Sequence, residues 1–276
     1  MRTAVGALRI LVVCGMLTFV AGIAAGEVFN PPALRPTEPF GQTAFIPAAS
    51  AVIEASHFVP TSRSLFHNYH FQTTALVTLY RADRFALSGS SVLLFEMQRD
   101  PSNQWYFWAS AILTNLSLEA HLKLGAMTAI LSYDHGCEHD LDTFRGRQPI
   151  SDSLTAGLTP IRSDTLTVTA RLRYYLPPVF QGYAPLADVG AGILSFDWQP
   201  LHLGPSAVLF LQGNLDGILQ RGGSLASDWM VRAGIVTPSH SRGIALYGEL
   251  QHLSDDWVSP APTPVTLVSF GVAIGA

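Results

Sequence analysis

Two short stretches of this chain place histidine two positions from a group that can react or bind. The first is Glu249-Leu250-Gln251-His252-Leu253-Ser254-Asp255-Asp256-Trp257. In an extended backbone alternate side chains point the same way, so the imidazole of His252 and the hydroxyl of Ser254 share a side. An imidazole there can take the hydroxyl proton and make the serine a nucleophile for acyl transfer, provided that a third group orients the ring. Glu249 and Asp256 are the acids near enough in sequence to do so. The competing reading is a polar strand end at a membrane interface. The second stretch is Ser132-Tyr133-Asp134-His135-Gly136-Cys137-Glu138-His139-Asp140-Leu141-Asp142. His135, Cys137 and His139 alternate, which sets imidazole, thiolate and imidazole, the ligand types of a zinc site, on one side. A fourth ligand, Asp140 or Asp142, would have to fold back, and the simpler reading is a polar rim of mutually hydrogen-bonded groups. No metal or cofactor is assigned.

Both stretches close runs with a period of two. Leu116, Leu118, Ala120, Leu122 and Leu124 alternate with Asn115, Ser117, Glu119, His121 and Lys123. Leu166, Val168, Ala170, Leu172 and Tyr174 alternate with Thr165, Thr167, Thr169, Arg171 and Arg173. Near the C-terminus the bulky set Val268, Phe270, Val272 and Ile274 alternates with Ser269, Gly271, Ala273 and Gly275. Such alternation makes strands with two unlike faces. Ile244, Leu246, Gly248 and Leu250 form an apolar face whose parity His252 and Ser254 continue.

The surroundings of these strands are unusually apolar. Of 276 residues, 48% are hydrophobic and only 13% charged, with mean hydropathy +0.28, where a soluble domain carries about 25% charged residues. The one long apolar run is at the N-terminus, so helices do not account for this composition. A net charge of −4 and the lack of any Lys/Arg cluster exclude nucleic acid as a partner. Arg2 and Arg9, the apolar segment Ile10 to Val20 and the small residues Ala21 to Gly26 follow the order of a cleavable secretory signal, expected to occupy residues 1–25. Its removal takes Cys14 with it and leaves Cys137 as the one mature cysteine, so no intramolecular disulfide can form.

An exported chain of alternating strands is either a soluble β-sandwich or a membrane barrel. The polar faces here hold few Lys and Glu. Aromatics flank the Gly-, Pro-, Ser- and Asp-rich connections: Trp105 to Trp108, Tyr174 and Tyr175, Trp198 and Trp257. Aromatic girdles at two membrane interfaces produce that distribution. An open sheet edge in hydrocarbon would leave backbone groups unpaired, so the sheet must close. The expected fold is therefore all-β, a single antiparallel transmembrane β-barrel in the cell outer membrane, with lipid as its surroundings and partner.

Strands are expected near residues 66–79, 83–97, 106–122, 126–136, 164–175, 183–196, 198–204, 206–218, 227–237, 243–253 and 264–276. A further strand near 41–56 restores the even number that bacterial barrels require and gives about twelve; merging 198–204 with a neighbour gives about ten. Residues 26–63 read as a periplasmic lead-in containing that first strand, residues 64–276 as the barrel, and His139 to Ser163 as a long extracellular loop. Parity places Glu96, Glu119, His121, Arg171, Arg173, Arg232 and Glu249 inside, a mixed-sign set that suits a hydrogen-bonded fill or narrow wet lumen.

The pattern His135, Cys137, His139, Asp142 resembles the His-x-Ser-Ser-His-x-x-Asp motif of an uncharacterised family of Gram-negative outer-membrane proteins with a single barrel. Cys137 and Glu138 stand where that motif has serines. The preceding hairpin, the loop and the strand beginning Arg162-Ser163-Asp164 are similar in layout, so the likeness covers most of the mature chain. It implies a fold and a location, and no reaction. His252-Leu253-Ser254 is similar to the His-x-Ser of outer-membrane lipid A deacylases and outer-membrane phospholipase A, which follow the serine with Asn where this chain has Asp255. That likeness implies an ester hydrolase of membrane lipid, with Ser254 as nucleophile and His252 as base. The leading expectation is a barrel with a structural, recognition or small-solute role; the lipid hydrolase is the alternative.

Overall fold

The computed structural model describes residues 39–59, 68–99, 107–140, 150–163, 165–176, 188–204, 206–220, 222–237, 243–254 and 264–275. The segment read as a signal, residues 26–38 and 60–63 of the lead-in, Asp142, Asp255 and Asp256 lie outside them. The described residues form twelve strands: β1 (Ala44–Phe58), β2 (Tyr69–Arg81), β3 (Phe85–Arg99), β4 (Phe107–Leu124), β5 (Met127–Asp140), β6 (Ile150–Arg162), β7 (Leu166–Tyr175), β8 (Asp188–His202), β9 (Val208–Gln220), β10 (Leu225–Thr237), β11 (Gly243–Leu253) and β12 (Val265–Gly275). Each pairs antiparallel with its sequence neighbours, and β1 pairs with β12, so the sheet closes into one barrel.

The two barrel ends differ. Connections 82–84, 125–126, 163–165, 203–207 and 238–242 share one end with the start of β1 and the end of β12. The tightest joins β4 to β5, where Gly125 takes a φ of 65°, a conformation glycine adopts without a Cβ clash. Connections 59–68, 100–106, 141–149, 176–187, 221–224 and 254–264 share the other end. Short turns mark the periplasmic end and longer loops the extracellular end of such barrels.

Twelve strands were expected, but two of them fall differently. β6 lies within the segment read as an extracellular loop, because its inward row is Ser151, Ser153, Thr155, Gly157 and Thr159 and its ladder slips between Leu158 and Ile161, around Pro160. Small hydroxyls and a proline hide the alternation. The segments 183–196 and 198–204 are in turn one strand, β8, whose register shifts between Trp198 and Leu201. The barrel begins at Ala44, inside the segment read as a lead-in.

The outer wall is apolar. Ile53, Leu131, Leu172, Leu194, Leu246 and Phe270 are all exposed, Leu172 by 72%. Phe45, Tyr80 and Phe85 pack in tilted pairs at the periplasmic end, with centroids 5.1 and 6.0 Å apart. His57 packs tilted against Tyr69 (4.6 Å) and Trp229 stacks on His252 (5.8 Å) at the extracellular end. Aromatic belts bracketing an apolar band fit the two interfaces of a bilayer.

The interior is layered. Along β9 the inward row runs Val208, Phe210, Gln212, Asn214, Asp216, Ile218, all buried. Val52, Phe210, Val236, Tyr247 and Ala273 form an apolar cluster towards the periplasmic end, and Phe58, Val265 and Leu267 another towards the extracellular end. Bulky groups therefore join the small and polar ones that parity placed inside. Between these clusters Arg232 on β10 donates to Glu249 (2.9 and 2.6 Å) and to both oxygens of Glu54 (3.0 and 2.8 Å). Its guanidinium lies 4.0 Å from the ring centroid of Tyr247. In strand order β10 reaches β1 only past β11 and β12, so Arg232 clamps the closing seam from within. Elsewhere Glu119 accepts from His121 (2.8 Å) and Arg171 (3.1 Å), and His70 lies 3.6 Å from Glu96. These interior charges of mixed sign face one another in pairs and clusters.

Candidate active site on the outer wall

β11 carries His252 on the lipid-facing row of Ile244, Leu246 and Leu250, as parity requires. The ring pairs in register with Trp229 on β10 and Thr266 on β12. Trp229 stacks on it at 18°, and its Nδ1 lies 2.9 Å from the hydroxyl of Thr266. Thr266 is thus the group that fixes the ring, in the place where sequence proximity pointed to Glu249 or Asp256. Glu249 instead faces inward and binds Arg232.

Ser254 departs from its expected parity. The strand ends at Leu253, and Ser254 gives both its N–H (2.7 Å) and its hydroxyl (2.6 Å) to Oδ1 of Asp228. Asp228 pairs with the buried, inward Asp216. The serine hydroxyl is therefore turned towards the inner side of the wall end and His252 towards the outer side. Deprotonation by His252 requires a rotation of Ser254 away from Asp228.

The other histidine stretch is better assembled. β5 and β6 pair without a register shift, and His135 sits opposite Asp152. The Nδ1 of His135 lies 2.8 Å from Oδ1 of Asp152, and Tyr133 donates its hydroxyl to the same oxygen at 2.5 Å. Tyr133 is exposed beside Leu131 and Leu154 on the outer wall, so this cluster faces outward too. Asp152 is only 4% exposed there. Cys137, buried, follows on the same face opposite Thr114. His139 pairs with Ile112 in the same ladder. Among the described residues no three His, Cys, Asp or Glu side chains stand together as metal ligands.

Asp152, Tyr133, Thr266 and Asp228 were not singled out from sequence. Asp152, Thr266 and Asp228 act from a neighbouring strand, where cross-strand register brings them to the histidine or the serine, and Tyr133, on the same strand as His135, reaches Asp152 on β6.

No family model matches the chain, and no curated protein does. Solved structures do. Outer membrane phospholipase A from Escherichia coli superposes with a TM-score of 0.51 at 13% identity, over 82% of this chain and 91% of that one. The Salmonella typhi outer membrane phospholipase dimer with bound calcium gives 0.51 at 13%, over 88% and 95%. The NanC porin gives 0.48 at 11%, over 81% and 98%. This chain is an outer-membrane β-barrel. At 13% identity the phospholipase likeness shows the fold alone.

Proposed function

We propose that this barrel is an ester hydrolase of outer-membrane lipid that works on the outside of its wall while its lumen stays sealed. The observation that carries the reading is the pair of outward imidazoles at the extracellular end, each held through Nδ1 by a cross-strand partner, Thr266 for His252 and Asp152 for His135. A ring fixed at one nitrogen presents the other to a nucleophile, the arrangement that acyl transfer needs. In this reading His252 is the base and Ser254 the nucleophile, once its hydroxyl leaves Asp228. A phospholipase shares this barrel fold, so a wall of this kind can carry a lipid hydrolase. A small-solute channel fits less well, because the inward row of β9 is buried throughout and Arg232, Glu54 and Glu249 are joined as buried ion pairs across the interior.

The test is fatty-acid release from outer-membrane lipid in mixed micelles. C137A protein is expected to release it, and C137A/H252A, still migrating as a folded barrel on unheated gels, to lose at least a hundredfold relative to C137A, on the order of a general base's contribution. Equal release from C137A/H252A would remove His252 from the mechanism.

A further inference from the structure

We propose that the wall carries a second acyl-transfer centre, with Cys137 as nucleophile, His135 as its base and Asp152 holding the imidazole. It rests on the lipid-hydrolase reading only for the natural acyl donor. Three observations build it. His135 and Cys137 lie two residues apart on one unbroken strand and so project from the same face, about 7 Å apart along the backbone. That spacing makes Cys137 the next outward side chain after His135. Asp152 holds Nδ1 at 2.8 Å, which fixes the tautomer and stabilises the imidazolium formed when the ring takes a proton. A carboxylate on a lipid-facing wall is costly unless it is bonded, and this one is buried beneath Tyr133 and His135, bonded to both. Unlike the serine of the other stretch, every member here lies on the outer side.

β5 and β6 stand across the barrel from β11 and β12, so the two centres are independent. In the reaction, the thiol proton passes to Nε2 of His135 as sulfur attacks the ester carbonyl carbon. The C–O bond breaks, and His135 returns the proton to the leaving alkoxide. The product is an acyl thioester on Cys137 and a free alcohol. Water, deprotonated by His135, then cleaves the thioester, releasing the fatty acid and restoring the thiol. The shielding of the thiol, 6% exposed, favours a lipid-soluble donor over an aqueous one.

The full chain, folded in detergent micelles, is mixed with p-nitrophenyl palmitate, quenched in acid and weighed intact. One palmitoyl adduct on Cys137 is expected, removable by neutral hydroxylamine. It is absent from C137A and hydroxylamine-resistant in C137S. H135A and D152N are expected to form it about a hundredfold and at least tenfold more slowly, with folded-barrel migration retained; H135Q guards against a fold effect of the alanine. No adduct on Cys137, or an adduct at the wild-type rate in H135A and H135Q, overturns the proposal. Thioester formation without fatty-acid release from outer-membrane lipid sinks the lipid reading and leaves this centre standing. Wild-type lipid hydrolysis by C137A with no adduct on the native chain does the reverse.

Discussion

Replacing Arg232 with alanine leaves two carboxylates buried in the barrel without their cation. Glu54 and Glu249 are 2% and 7% exposed, and Arg232 supplies four hydrogen bonds of 2.6–3.0 Å to them. Removing one partner of a buried ion pair costs about 3–5 kcal/mol, because the remaining charge is stranded. With a urea dependence of about 2 kcal/mol per molar, the unfolding midpoint falls by about 2 M. Urea titrations of the full chain in micelles, read as the folded and unfolded bands on unheated gels, give that midpoint. The same reasoning makes R232A/E54Q/E249Q more stable than R232A, since neutral amides remove the stranded charge at nearly the same volume. A shift below about 0.5 M for R232A, or a triple variant no more stable than the single, would refute the view that this cluster clamps the seam between β1 and β12.

Gly271 faces inward against the ring and hydroxyl of Tyr247, so G271A pushes Tyr247 from beneath Arg232 and is expected to cost about 1–3 kcal/mol in the same titration. L172R puts a charge on the exposed apolar wall and should cost about 2–4 kcal/mol in lipid vesicles; a loss confined to micelles would place Leu172 outside the bilayer. Planar-bilayer recordings of the full chain should show no steady conductance, and a stable open level would contradict a sealed lumen. D228N weakens the hold on Ser254, so fatty-acid release should rise or hold steady if the serine is the nucleophile; a fall parallel to that of S254A would make Asp228 part of the machinery.

Much of the fold was legible because a barrel wall writes a two-residue period into its sequence. β4, β7 and β12 read directly, since Leu, Val and Phe alternate there with charged, polar or small residues. β6 did not, because its inward hydroxyls and its outward Asp152, Ala156 and Pro160 blur the contrast between the faces. β8 was split by Pro200 and the register shift beside it. One strand missed and one divided offset each other, and the count of twelve survived. At the sites, parity put His135, Cys137 and His252 on one side of their strands, but it fails where a strand stops. Ser254 lies one residue past β11 and turns to Asp228. The partners Asp152 and Thr266 lie 17 and 14 residues from their histidines, and periodicity within a strand carries no information on register between strands.

The claim that chemistry sits on the outer wall and not in the lumen is tested most directly by comparing one outer and one inner substitution in the same assay. Fatty-acid release is measured from vesicles of outer-membrane lipid carrying wild-type protein, the outer-wall double variant H135A/H252A, and the lumen variant E119Q, whose carboxylate binds His121 and Arg171 inside. Release is expected from the wild type and from E119Q, and loss of at least a hundredfold from the double variant. Release unchanged in H135A/H252A, or abolished in a folded E119Q, would contradict the account.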